Sequence, residues 1–166
     1  MFYCTVPSPL GELTLASDGV ALTGLWLPGQ MYFAAGLSRD AQNEPDLPVF
    51  GATKVWLSSY FANEPLPPMP TLDPAGTPFR KAVWQKLREI PAGKVITYGT
   101  LAAQLRQDGI AASPRAVGGA VGHNPISILI PCHRVIGSDG KLTGYAGGLQ
   151  AKTYLLKLEC SWIPEI

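Results

Sequence analysis

Cysteine is scarce in this chain, and the little there is cannot build a framework. Cys4, Cys132 and Cys160 are odd in number, far apart and never in a CxxC pair. That excludes a disulfide-stapled fold and a structural zinc site of the usual spacing. Free thiols suit a reducing compartment, so a cytoplasmic location is expected. Long apolar runs are missing too, with no stretch near the roughly 20 residues that a membrane-spanning helix needs. The opening MFYCTVPSPLGE lacks the basic-then-apolar pattern of a secretory signal.

Each half is also short of one sign of charge. Residues 1–77 hold two basic side chains, Arg39 and Lys54, against seven acidic ones, a net of −5. Residues 78–158 hold eleven basic against three acidic (Glu89, Asp108, Asp139), a net of +8, and Glu159 and Glu165 then bring the total to +1. A basic second half fits an anionic partner such as nucleic acid, or simply a solvated basic face.

At 166 residues there is length for one domain or two small ones, with enough apolar content for a core. The proline-dense segment Glu64–Pro78 coincides with the change of charge and reads as a linker. Two domains are therefore expected, residues 1–72 and 73–166. In the first, Phe2–Val6, Glu12–Ser17 and Val20–Leu27 read as short strands. A helix over Thr53–Phe61 follows, with Val55, Trp56, Tyr60 and Phe61 on its apolar side. No chemical motif is visible there.

The second half reads as helical. Thr77 is a good N-cap and Pro78 a good first residue. Phe79, Val83, Leu87 and Ile90 then fall on one stripe. Val95–Thr97 is a short extended piece, and Tyr98–Gln107 a second helix with Leu101, Ala102 and Leu105 inward. After the turn Gln107–Ala112, Ser113 and Pro114 repeat the cap-then-proline signal before a third helix, Arg115–Gly122. Helix, turn, helix in a basic half is a DNA-binding pattern, although any helical bundle contains helix pairs. The third helix, RAVGGAVG, has three glycines, each unfavourable by roughly 1 kcal/mol against alanine. Either a neighbouring helix packs closely on them or something bulky, such as a sugar-phosphate wall, approaches the backbone.

His123-Asn124-Pro125 leads from that helix into ILIPCHRVIG, which reads as the end of a buried strand carrying Cys132 and His133. A free thiol titrates near ~8.5, so a neighbouring base would be needed to activate it. Adjacent residues of extended backbone point to opposite faces, so a bridging water or a turn at Pro131 would have to connect the two. An imidazole base also needs its other nitrogen held, usually by a carboxylate. Glu159, ending the helix Gly148–Glu159, is the candidate among the few acids of this half. Buried cysteine–histidine neighbours are also commonly structural.

Three strings together, TPFRKAVWQKLREIPAGKVITYGTLA, RAVGGAVGHNPISILIPCHRVIG and GKLTGYAGGLQAKTYLLKLE, resemble the O6-alkylguanine-DNA alkyltransferases, the methylated-DNA–protein-cysteine methyltransferases. The resemblance covers essentially the whole second half; the first half matches in outline, through PLGELTLA and the aromatic helix. It implies an α+β fold: a small ribonuclease-H-like α/β domain, then a mostly helical domain with a winged-helix-like helix-turn-helix. It further implies stoichiometric transfer of an alkyl group from O6-alkylguanine, and O4-alkylthymine, in double-stranded DNA to Cys132, by a monomer without cofactor. By the same resemblance His133 is the base acting through a water and Glu159 orients it. Asn124 is the hinge, Tyr98 assists the departing guanine, and Lys152 supports the site. Arg115 takes the place of the flipped nucleotide. Thr97, Ala116, Gly118, Gly119 and Gly122 meet DNA, while Val135, Tyr145 and Ala146 line the base site. The turn RQDGIAAS is longer than the compact family form, and Pro114 stands where a small residue is common. The first half lacks the Cys/His cluster through which some members hold zinc, so no metal is expected.

Three other readings compete. A helix-turn-helix regulator would sense alkylation or redox state through Cys132. A Cys–His hydrolase would turn over repeatedly on a thioester or amide. A lesion binder of the same fold would not need the cysteine at all.

Overall fold

A computed structural model describes residues 1–142 and 144–159, so Cys160 and Glu165 lie outside the described residues. The chain divides into two compact units, Met1–Ala75 with Pro125–Ser127, and Gly76–Asn124 with Ile128–Ile166. Among the described residues no helix is long and apolar enough to cross a membrane.

The first unit is a four-stranded sheet with one helix. Strands β1 (Phe2–Ser8) and β2 (Gly11–Ser17) form an antiparallel hairpin closed at Ser8 and Gly11, where φ is +100° and a side chain would be strained. β3 (Leu22–Trp26) follows antiparallel to β2, and β4 (Gln42–Asn43) returns parallel to β1, giving the order β3-β2-β1-β4. Asp18 fixes the β2–β3 turn by accepting from the amides of Val20 and Ala21, each at 2.9 Å. That turn keeps Val20 out of the strand, 80% exposed.

Helix α1 (Pro48–Phe61) buries Val49, Phe50, Thr53, Trp56, Leu57 and Tyr60 and packs on β1 and β2. It begins five residues earlier than the sequence suggested, with Pro48 in the first turn. The buried stripe follows the helical period, which leaves Val55 exposed rather than inward. The proline-dense segment is also more than a spacer. Leu22 donates to the carbonyl of Thr71 at 2.8 Å and accepts from Asp73 at 2.9 Å, so its last part runs alongside β3. Pro125–Ser127 pairs with Leu25 in the same manner, and Ser127 donates to the buried Gln30 side chain at 3.0 Å.

The second unit has four helices among its described residues: α2 (Pro78–Leu87), α3 (Tyr98–Gln107), α4 (Pro114–Gly122) and α5 (Leu149–Leu158). Thr77 caps α2 by accepting from Arg80, and Ser113 caps α4 by accepting from Ala116. Each cap satisfies an amide that the helix itself cannot. Leu87, Leu101, Leu105 and Val117 are fully buried, each such side chain contributing about 1.5–3 kcal/mol on burial. The Trp84 indole, in α2, donates 2.8 Å to the carbonyl of Ala120 and ties α4 to that core. Ile90 is buried too, in the turn after α2 ends, whereas Phe79 is only half-buried. The longer α3–α4 turn is fastened by Arg106 donating to Ala112 at 2.8 Å and by a 2.8 Å Lys86–Asp108 ion pair. Two short strands, β5 (Ile96–Thr97) and β6 (Val135–Ile136), pair in parallel. That pairing brings the start of α3 beside the segment that follows Cys132.

Candidate active site

ILIPCHR is not the end of a strand. Pairing stops at Ser127, and Ile128 turns the chain with φ at +72°. A branched residue held there costs about 1–3 kcal/mol, which the surrounding contacts must offset. Pro131, at φ −82° and ψ 66°, forms a tight three-residue turn, with the Cys132 amide donating 2.8 Å to Ile130. Cys132–Arg134 then make one turn of 3-10 helix. Strand alternation therefore does not hold the thiol and imidazole on opposite faces, because the backbone here is wound.

The thiol is buried, 3% exposed, but among polar groups. The side chains of Asn124 and Tyr145 act on it so as to favour its charged form, and the Lys152 ammonium does the same through its charge. Burial pushes the thiol up from its ordinary value, and those three groups work against the rise. Asn124 also donates from Nδ2 to the carbonyl of Ile130 at 2.9 Å, fastening the end of α4 to the thiol turn. Lys152, fully buried on α5, donates from Nζ to the carbonyl of Val135 at 2.6 Å and of Gly144 at 3.4 Å. Burial lowers its ammonium to about 8, against the pull of Cys132.

His133 is completely buried, and its Nε2 lies 2.6 Å from Oε1 of Glu159, whose side chain is 2% exposed. Glu159 caps the end of α5, seven residues beyond Lys152 and so on the same helical face. Burial alone would raise the Glu159 carboxyl, but hydrogen bonds from His133 and Arg134 hold it down at about 2. It is thus a carboxylate, which can only accept, so Nε2 carries the ring proton. Burial lowers the His133 imidazolium below its ordinary value; Glu159 works against this, and the charges of Arg134 and Lys152 add to it. The ring is neutral, with Nδ1 free to accept a proton: it has no protein partner among the described residues.

Arg134 was not singled out from the sequence. It donates from Nε to Oε2 of Glu159 and from Nη2 to Oε1, each at 2.8 Å, and from Nη1 to the carbonyl of Ile90 at 2.6 Å. A guanidinium next to His133 in a region of few carboxylates was the available signal. The thiol turn and the end of α5 therefore meet at one carboxylate, and Arg134 ties the turn after α2 to them.

The other predicted residues lie around this cluster or on the outer face of α4. Val135 is fully buried, and Ala146 sits half-buried in the loop before α5. Tyr98 opens α3, and Thr97 caps it by accepting from Thr100 at 3.0 Å. Arg115, Ala116 and Gly119 are exposed, Gly118 and Gly122 half-buried, while Val117, Ala120 and Val121 face the core. Close helix packing does not explain these glycines. A Cβ on Gly119 or Gly122 would meet nothing within 4 Å, and one on Gly118 would only touch the Tyr98 ring at 3.9 Å. Among the described residues no group of three or more His, Cys, Asp or Glu could hold a metal ion.

Residues 1–70 match the family model for the "6-O-methylguanine DNA methyltransferase, ribonuclease-like domain", and residues 78–161 that for its "DNA binding domain". The chain is 45% identical over 161 residues to a methylated-DNA–protein-cysteine methyltransferase of Haemophilus influenzae, spanning 96% of this chain and 86% of that protein. A Mycobacterium bovis protein of the same name is 45% identical over 162 residues, spanning 98% of this chain and 94% of the relative. Among solved structures, Mycobacterium tuberculosis OGT in complex with DNA superposes with a TM-score of 0.84 at 44% identity, covering 99% of this chain and 96% of that one.

The buried carboxylate makes stability depend on acid. The Glu159 carboxyl, at about 2 when folded, titrates near about 4.3 when unfolded. Its contribution is complete above that upper value and is lost as the pH falls toward the lower one. The lowered His133 acts in the same direction from about pH 6.5 downward, because the unfolded ring takes up a proton that the folded ring resists. In urea titrations across this range, Glu159→Gln should be less stable at neutral pH but show a shallower slope below about pH 4.3 than the wild type. Parallel slopes there would mean that the carboxylate does not carry the acid dependence.

Proposed function

The chain belongs to the 6-O-methylguanine DNA methyltransferase family, and on that premise we propose that it repairs alkylated DNA by direct reversal. One molecule takes one alkyl group, a methyl above all, from O6-alkylguanine or O4-alkylthymine in double-stranded DNA onto Cys132. It does so as a monomer, in the cytoplasm and without a cofactor. The observation that carries this reading is the His133 ring: Nε2 held by a carboxylate, Nδ1 left to accept, and the ring directly following a thiol set among polar groups.

His133 Nδ1 takes the thiol proton through a bridging water, leaving a thiolate. An alkyl carbon on oxygen is a soft electrophile, attacked in line by sulfur. The S–C bond forms as the C–O6 bond breaks, and the electron pair passes to the guanine. Tyr98 gives a proton, or a hydrogen bond, to a ring nitrogen of the departing base. Asn124 and Lys152 steady the sulfur as its charge develops, and Tyr145, Ala146 and Val135 border the base. The product is a thioether, which water does not reopen at useful rates, so each molecule acts once.

The target atom lies inside the duplex, so the nucleotide must be flipped out at a cost of a few kcal/mol. Arg115 enters the stack in its place and offsets part of that cost. The outer face of α4, with Ala116, Gly118, Gly119 and Gly122, lies in the minor groove, and Thr97 meets the backbone. Few of these side chains can read base edges, which suits a lesion that arises in any sequence. The regulator reading is not favoured, since the relatives are named as transferases.

Two measurements test this reading. Incubation with a duplex containing O6-methylguanine should add one methyl mass to the peptide bearing Cys132, and Cys132→Ser should abolish repair. An unmodified Cys132 peptide in protein that has repaired its duplex would reject the assignment. Arg115→Ala should slow repair in duplex at least tenfold more than transfer from free O6-benzylguanine, as expected for about 1.4 kcal/mol of flipping support. Equal losses on both substrates would remove the intercalating role.

A further inference from the structure

Arg134, like Lys152, differs from the other basic residues of this half in that its charge is directed inward. Its side chain is 11% exposed and binds both oxygens of Glu159, while its remaining nitrogen is fastened to the carbonyl of Ile90. This planar fork has more consequence than burial of a point charge, because it fixes the rotation of the carboxylate. Oε1 is shared, receiving both Nη2 of Arg134 and Nε2 of His133. A buried carboxylate facing only an imidazole would draw a lasting proton onto the ring. An imidazolium has no lone pair left with which to accept the thiol proton.

We propose that Arg134 is a positioning residue of the reaction: by holding both oxygens of Glu159 it aims one of them at His133 and limits how strongly that carboxylate charges the ring. This rests on the reading of His133 as the base for Cys132. Among the described residues, the charged and titratable groups around His133 are few. Arg134 and Cys132 belong to its own turn, and Lys152 and Glu159 belong to α5 and its cap. α2, packed on the same turn, carries its charges on Arg80, Lys81 and Lys86, of which Lys86 is tied to Glu89 and Asp108. Arg134 is thus the positive charge that shares a hydrogen-bond acceptor with the ring. Removing it should raise the proton affinity of the ring.

The test is the single-turnover rate of Cys132 benzylation by free O6-benzylguanine as a function of pH, which involves no DNA. In Arg134→Met the acid limb should move to higher pH by about one unit. Arg134→Lys, which keeps the charge but not the fork, should keep the limb near the wild-type position with a lower plateau. Arg134→Met combined with Glu159→Gln removes both charges and leaves no unpaired buried carboxylate, so it should fold even if Arg134→Met does not. Its limb should lie nearer the wild-type position than that of Arg134→Met, or at least no more than about half a unit above the wild type. A plateau that falls in Arg134→Met while the limb stays in place would overturn the proposal and leave Arg134 a packing role. Should the double variant alone fold, a limb moved by a full unit or more would do the same. Wild type that gains no benzyl mass on Cys132 would instead sink the function proposed above, so the two failures are distinguishable.

Discussion

One carboxylate organises this site. Glu159 is buried and charged, a combination that is stable only if the charge is paired and the lone pairs are used. Three donors do this: Nε2 of His133 and two nitrogens of Arg134. Breaking such a buried pair by removing one partner typically costs about 3–5 kcal/mol, so the arrangement cannot drift. The end of α5, the wound turn carrying the thiol and the carbonyl after α2 are held in register by it. Without that register the imidazole would have no fixed tautomer.

The surroundings of the thiol follow from the same constraint. A sulfur this deeply buried resists ionisation, and burial alone would make it inert. The fold answers with the polar side chains of Asn124 and Tyr145 and with a lysine that is itself buried and lowered to about 8. Asn124 serves two ends at once, since it also fastens Ile130. The left-handed Ile128 and the tight turn at Pro131 are what bend the chain so that Cys132 and His133 share one turn. Outside this cluster α4 is built the opposite way, with its polar cap and smooth glycine face toward solvent and its branched residues inward. A tightly tied interior and a plain, glycine-rich outer face are compatible demands on one short helical domain.

What could be read from the sequence was mostly local. The caps at Thr77 and Ser113 and the span of α3 were legible because each depends on residues within a turn of itself. The His133–Glu159 pair could be chosen because so few acids compete for that imidazole. Other features were hidden because their causes lie far along the chain. ILI has the composition of a strand, but pairing of Pro125–Ser127 with Leu25, at the other end of the sequence, stops at Ser127 and the chain turns at Ile128. Lys152 looks like any helical lysine until its two carbonyl acceptors are seen, and Arg134 looks like one more charge in a basic half. Val55 is apolar, yet at about 100° per residue it lies well round the helix from Trp56 and Tyr60, and apolar character alone does not reveal that.

The proposed chemistry depends on His133 being neutral, with its proton on Nε2 and facing Glu159. Nitrogen-15 NMR of the unmodified protein, with its imidazole nitrogens labelled, reads this directly. Near neutral pH the His133 ring should show a protonated Nε2, with its hydrogen shifted far downfield by the carboxylate, and a bare Nδ1. A proton found on Nδ1, or on both nitrogens at pH 7, would contradict it, because the ring could not then receive the proton of the thiol.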